Sequence, residues 1–200
     1  LFFSFDERSP RYLDPVASYA NPESVYTMQV YEPLYGYHYL KRPYELVPKA
    51  AAEVVKPRYL DARGQPLADD APGELVVESV YDIPVRPGMR YAPHPAFAVD
   101  AQGQHRYHSA HPLSREALGD KRSPFDFAHQ GTREVVAEDF VYAIKRHATT
   151  RIEAPVFALF ADHVLGLKDY AALVQREDAR LLAGLPQDAR DKPFLDFRQW

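Results

Sequence analysis

Three histidines, His105, His108 and His111, stand three residues apart, with His94 upstream of them. Neutral imidazoles are common ligands of nickel and zinc, so these residues are the first candidates for chemistry. A spacing of i, i+3, i+6 brings side chains onto one face only on a helix. Gly103, Ser109 and Pro112 make a helix through this stretch unfavourable. A metal-binding module, or a small metal-dependent enzyme built on these histidines, is therefore one reading, and a solvated loop is the plainer one. Acidic pairs offer less. Asp69 with Asp70, and Glu138 with Asp139, are chain neighbours, which does not set two carboxylates across a substrate. No G-x-S-x-G, H-E-x-x-H, P-loop or G-x-G-x-x-G occurs. Cysteine is absent, which removes thiol catalysis, disulfides and cysteine-ligated zinc. Tyr31, Tyr35, Tyr37 and Tyr39 form a last cluster, able to serve as a carbohydrate or peptide platform or to pack half-buried.

The chain that must position these residues has 200 amino acids, a net charge of -4 and basic residues scattered among acidic ones. Nothing in it suggests a surface that tracks nucleic-acid phosphates. There are 18 prolines, and 14 tyrosines against one tryptophan. That composition predicts many short elements joined by fixed turns, with surfaces that are apolar yet able to hydrogen-bond. The opening Leu1-Phe2-Phe3-Ser4-Phe5 has no charged leader and no run long enough for a signal or a membrane span. Either a targeting segment has been removed or there never was one.

Residues 1–5 read as a short buried strand. Leu13-Asp14-Pro15 sets a turn, and Asn21-Pro22-Glu23 starts a helix, with Asn as cap, Pro in the first turn and Glu at the positive dipole end. Val25, Met28, Tyr31 and Leu34 predict that this helix is mostly buried, with Pro33 and Gly36 ending it. Residues 37–57 read as a connector with one brief helix around an Ala-rich stretch, and residues 62–73 as a hairpin tip or mobile loop. Glu74 to Val85 gives the clearest strand, although Pro84 argues for an edge or bulge. Residues 92–134 lack periodicity and read as a functional or inserted loop. Ala137–Ala148 predicts a helix with Phe140, Val141, Ile144 and Ala148 on one side. A second helix is predicted from about His163 to Ala183, stopping at Gly184 before Pro186. No internal repeat is evident. The final Pro193–Trp200 reads as the entry to another strand, and the sequence as a piece of a longer chain.

Four segments, in order, resemble the extracellular solute-binding proteins that feed oligopeptide and dipeptide ABC importers. They are Leu13-Asp14-Pro15 with Asn21-Pro22-Glu23-Ser24; Val30-Tyr31-Glu32-Pro33-Leu34; Val85-Arg86-Pro87-Gly88-Met89-Arg90-Tyr91; and Ala137 through Arg146. They span roughly residues 10–170. Two departures stand beside the likeness. Val136 occupies the place where family members carry a capping Thr, and residues 92–134 replace a short link.

The resemblance implies an α/β chain, part of a two-lobed periplasmic-binding-protein fold with a mixed sheet and flanking helices. Residues 1–36 would begin lobe one, and residues 37–200 would form mostly the small extra domain, ending before lobe two. It implies a binding protein and not an enzyme, periplasmic and either secreted or lipid-anchored, with its signal peptide removed. The expected partners are a peptide or other small solute and the subunits of an ABC permease, with no nucleic acid, no cofactor and a monomeric state. By position, the ligand-facing residues are Ser18, Tyr19, Ala20 and Asn21, which would hold a peptide main chain by strand-like backbone hydrogen bonds.

Overall fold

The computed structural model describes residues 9–107, 113–186 and 195–199. Among the described residues the chain is mixed α/β, with two small antiparallel sheets of two strands each. Its contacts divide it into two units: one takes the chain to Pro33 and resumes at Ala137, and the other spans Leu34–Val136. The sequence places a division after residue 36, whereas contacts place divisions at 33/34 and 136/137. Among the described residues no helix is long and apolar enough to cross a membrane.

The first unit opens with a looped segment leading into helix α1, Asn21–Val30. Its cap position is Ala20, with Asn21 already helical, so the expected Asn cap sits one residue too late. The helix ends at Val30 and not at Leu34, because the residue before Pro33 is held out of helical conformation. Nor is it buried. Val25, Met28 and Val30 are 55%, 79% and 74% exposed, and Glu23 is its one enclosed side chain. The sequence was right that a helix starts here, and wrong about its length and its burial.

After Ala137 the unit continues with α3, Ala137–Arg146; α4, Phe157–His163; and α5, Leu167–Leu182. α4 was not foreseen; the second helix expected over about His163–Ala183 is α5, which starts only after Gly166. That residue takes a left-handed conformation (φ 79°) which an α-helix cannot continue through. Ala148, Ala171, Val174, Leu195 and Phe197 form the core, with Tyr142, Phe157, Tyr170 and Leu181 packed against it. The less exposed residues of α3 are Asp139, Phe140, Tyr142, Lys145 and Arg146, and Ala148 just beyond it is buried, so Phe140 and Ala148 lie inward as expected. Val141 and Ile144, expected inside, are 49% and 40% exposed. Tyr142 meets Phe197 edge-on at 5.8 Å, and the Lys145 ammonium lies 5.3 Å from the Tyr170 ring centre. Residues 195–199 do not enter a strand. The Asp196 carboxylate accepts from the Arg198 amide and guanidinium, and Phe197–Gln199 curls into a 3₁₀ turn. The strand expected over residues 1–5 lies outside the described residues.

In the second unit, β1 (Tyr35–Tyr37) pairs with β2 (Leu46–Pro48), and β3 (Arg58–Leu60) with β4 (Glu78–Val80). The Ala-rich stretch is extended and not helical. Ala50 and Ala51 are essentially inaccessible and bridge to residues 84–86, through Arg86 N–H to Ala50 carbonyl and Ala52 N–H to Pro84 carbonyl, each 2.8 Å. The strand expected over Glu74–Val85 shrinks to three residues, preceded by a 3₁₀ turn at Gly73–Leu75.

The irregular 92–134 stretch is closed at its base. Met89 carbonyl accepts from Val135 N–H (2.8 Å), Arg133 carbonyl from Tyr91 N–H (3.0 Å), and His94 exchanges both backbone bonds with Gly131. Between these ends lie the short helix α2, Arg115–Leu118, and 3₁₀ turns at Pro95–Phe97 and Pro124–Asp126. A local repeat does exist, contrary to expectation. Asp61-Ala-Arg-Gly-Gln65 and Asp100-Ala-Gln-Gly-Gln104 fold into the same turn. In each, the aspartate Oδ1 accepts two backbone N–H groups at 2.8–2.9 Å, and the glycine sits at φ 72° or 77°. Hairpin bridges Leu60↔Pro66 and Val99↔His105 flank the two turns in identical register.

Candidate functional site

The loop ahead of α1 is organised by two carboxylates. Asp14 folds the middle of it: its Oδ1 accepts from Val16 N–H (3.0 Å), and its own carbonyl accepts from Ala17 and Ser18 N–H at 3.0 and 2.8 Å. The same carboxylate forms a two-pronged ion pair with the Arg146 guanidinium at the end of α3. Pro15 follows, fixing one dihedral of the turn. Burial pushes the Asp14 carboxyl upward, but the Arg146 and Val16 hydrogen bonds and the Arg146 charge outweigh it, and the group titrates below its ordinary range.

Glu23 holds both ends. Its side chain is 4% exposed and turns back over the helix start. One oxygen accepts from Arg11 and Tyr12 N–H (3.1 and 3.0 Å), the other from Tyr19 and Ala20 N–H (3.2 and 3.4 Å). Ala20 has no side-chain acceptor of its own, so the glutamate three positions into the helix satisfies the donors that a Ser or Asp cap ordinarily takes. Burial again acts to raise the pKa, and the four amide donors together lower it below the usual glutamate value. Tyr12 Oη and the Arg11 guanidinium reach Glu153, at 3.0 and 3.9 Å.

Ser18, Tyr19, Ala20 and Asn21 therefore lie together on one tethered segment. Tyr19 is 72% exposed, Ala20 and Asn21 are exposed, and Ser18 is half-buried with its Oγ enclosed and unpartnered. The amides of Ser18, Tyr19 and Ala20 are already bonded, to Asp14 and to Glu23. The Ala20 carbonyl is committed to the first turn of α1. The segment can offer a ligand carbonyl oxygens at Ser18 and Tyr19, the Tyr19 ring and the Asn21 amide. It does not offer the alternating donors and acceptors of a free strand edge. From the sequence alone Glu23 carries only a dipole role. The signal was present: Glu at the third helical position with a non-capping residue at the cap is half of a capping box that must find its donors in the chain before it.

The histidines separate. His94 caps the 3₁₀ turn, its Nδ1 accepting from Ala96 N–H at 3.1 Å. His105 sits in the bridge to Val99, and His108 and His111 lie outside the described residues. Among the described residues no three His, Asp or Glu side chains converge on a point where a metal ion could sit. A shallow cavity of about 410 Å³ in the second unit is lined by His94, Tyr107, Lys121, Arg122, Pro124 and Phe127, among others. Tyr107 packs edge-on against Phe127 at 5.0 Å, and the Lys121 ammonium lies 5.8 Å from that ring. Comparison of the chain with protein-family models, curated proteins and solved structures yields no significant match.

Proposed function

We propose that this chain is part of the solute-binding component of a bacterial ABC importer, which captures peptides in the periplasm and delivers them to a membrane permease. The observation that carries the reading is the tethered segment Ser18–Asn21. Four amides locked by Glu23 and a turn locked by Asp14–Arg146 hold it rigid while Tyr19 stays open to solvent. A recognition loop needs that combination, since ordering it before binding removes the entropy cost at binding. Because its amides are spent, this segment meets a peptide through acceptors, which suits the N–H groups of the ligand's main chain or amino terminus. The exposed Val25, Met28 and Val30 of α1 suit a helix covered by the remainder of a lobe. The four ordered motifs point the same way.

The test is native mass spectrometry of the mature protein purified without denaturant. The expected result is a ladder of adducts with masses of short peptides, reduced on substituting Tyr19→Ala. A bare protein that ignores added peptides and instead takes up one Zn²⁺ or Ni²⁺ would overturn the reading in favour of metal handling.

A further inference from the structure

The loop joining β1 to β2 has a composition and exposure that neither the second unit's packing nor solute capture accounts for. Tyr37, Tyr39, Leu40 and Tyr44 are 67%, 87%, 78% and 68% exposed. Large apolar side chains gathered at that exposure on one short hairpin are unusual on a surface that meets only water. The tip is nevertheless built. The His38 Nδ1 accepts from Leu40 and Lys41 N–H (3.2 and 3.3 Å), and His38 N–H bonds the Glu45 carbonyl at 2.8 Å. Tyr37 and Tyr44 pack with ring centres 5.5 Å apart, and the Arg42 guanidinium covers Tyr44 at 4.4 Å while donating to the Lys41 carbonyl at 2.8 Å. The hairpin holds its aromatic and basic side chains in one place and leaves their outer faces open.

We infer that this tip docks on an anionic lipid bilayer surface. Tyrosine is suited to the headgroup layer, its ring meeting the acyl boundary and its hydroxyl staying wet. Leu40 and Tyr39 lead into that layer. Lys41 and Arg42 lie immediately beside them, at the depth of the lipid phosphates. Glu45 offsets one of the two charges through its 2.8 Å pair with Lys41. With two cations against one anion, the tip keeps a net positive charge at neutral pH, complementary to an anionic surface. A contact of this kind is weak and reversible, a surface encounter and not an insertion. It is independent of whether the chain binds a solute.

The test is flotation of the intact protein with extruded vesicles, either pure phosphatidylcholine or with about a third phosphatidylglycerol, at low and moderate salt. Co-flotation with the anionic vesicles is expected to exceed that with neutral ones and to fall as salt screens the charges. Lys41→Gln and Arg42→Gln should each lower partitioning about fivefold, the effect of one juxtamembrane charge. Leu40→Asp with Tyr39→Ser should abolish it. All four side chains are open to solvent, and unchanged circular dichroism verifies that the variants fold. Failure to float with either vesicle, equal partitioning to both, or undiminished flotation of the Leu40→Asp, Tyr39→Ser double variant overturns the inference. So does release of vesicle-bound protein by a soluble oligosaccharide, which would make the tyrosines a sugar platform.

Discussion

Val174 on α5 is 1% exposed, enclosed with Ala148, Ala171, Leu195 and Phe197 and bordered by the rings of Tyr142, Phe157 and Tyr170. Between Leu34 and Val136 the most enclosed apolar side chains are Ala50, Ala51 and Ala98, each at 2% or less. Among the described residues no large one there is sealed to the same degree. Order in that unit comes from carboxylates that collect backbone donors. Asp61 serves residues 63 and 65, Asp100 serves residues 102 and 104, Asp126 serves residues 122 and 123, and Glu134 serves Gly88. The first unit is stabilised by removing apolar area from water, roughly 25 cal/mol per Å². The second is stabilised by satisfying turns, at about 0.5–1.5 kcal/mol per hydrogen bond. A helix can be extended by adding turns of residues, but a chain of 3₁₀ turns and two-stranded ribbons must be specified turn by turn. That is the work of its prolines, glycines and aspartates.

If that contrast is right, the largest effects belong to the helical unit. Phe197→Ala removes the ring that faces Tyr142 and the core, and should cost about 4 kcal/mol, read from urea unfolding. Amide exchange should rise across α3 and α5 and stay unchanged over β1–β4. Loss of protection in both units at once would break the comparison. Next is Arg151, which bonds Asp178 through Nε at 2.8 Å and through a second, shorter contact. Asp178 is buried on α5. Arg151→Met strands that carboxylate and should cost about 3 kcal/mol, while the double variant Arg151→Met, Asp178→Leu should recover most of it. Without that recovery, the burial of Asp178 is not what makes the pair matter.

The second unit should respond locally. Gly131 has no room for a side chain, because a Cβ there would lie 2.0 Å from the Phe97 carbonyl oxygen. Gly131→Ala must therefore push the 94–98 segment aside, at a cost of about 1–3 kcal/mol. Faster exchange at residues 89–98 and 131–135, with α5 untouched, is the expected signature. The twin turns allow a finer comparison. Asp61→Ala and Asp100→Ala each remove an acceptor of two exposed amides and should each cost about 1 kcal/mol. A difference between them much above that would mean the matching geometry conceals unequal packing.

How far the sequence announced all this follows the same division. Ala137–Arg146 and the end of α5 before Gly184 were legible because acidic first turns, basic last turns and the Gly184 and Pro186 breakers agreed with the helix-forming composition between them. The buried face of α3 was legible only in part: Phe140 and Ala148 turn inward, Val141 and Ile144 do not. Arg146 and Lys145 are recruited inward by Asp14 and by Tyr170, and hydropathy alone does not see an ion pair 132 residues away. In the second unit Gly88 (φ 79°) and the turn-rich 62–73 segment were readable from composition. The pairing of 89–94 with 131–135 was not, since no local signal marks a bridge that spans forty residues. The candidate segment Ser18–Asn21 came from the motif order. Glu23, which tethers it, could be recognised only once the loop before it was seen to fold back.

The smallest expected effect appears only in acid, and it tests the tether directly. Glu23 and Asp14 both titrate below their ordinary values of 4.5 and 3.8, because amide donors at Glu23, and an amide with Arg146 at Asp14, outweigh burial. A carboxyl with a depressed folded-state pKa binds protons more weakly folded than unfolded. Its contribution is therefore complete above the unfolded value and is lost as pH falls through the folded one. Between pH 8 and 5 the amide resonances of Arg11, Tyr12, Tyr19 and Ala20 should not move. Below about 4.5 they should shift together, with a common midpoint under that value. Glu23→Gln presents one carbonyl oxygen where the carboxylate presents two, so one pair of amides should lose its partner at every pH and the shared titration should vanish. If the four amides titrate with separate midpoints, or at 4.5 and above, a single buried carboxylate does not hold both ends of the loop. The rigidity attributed to Ser18–Asn21 would then have to come from the Asp14 turn alone.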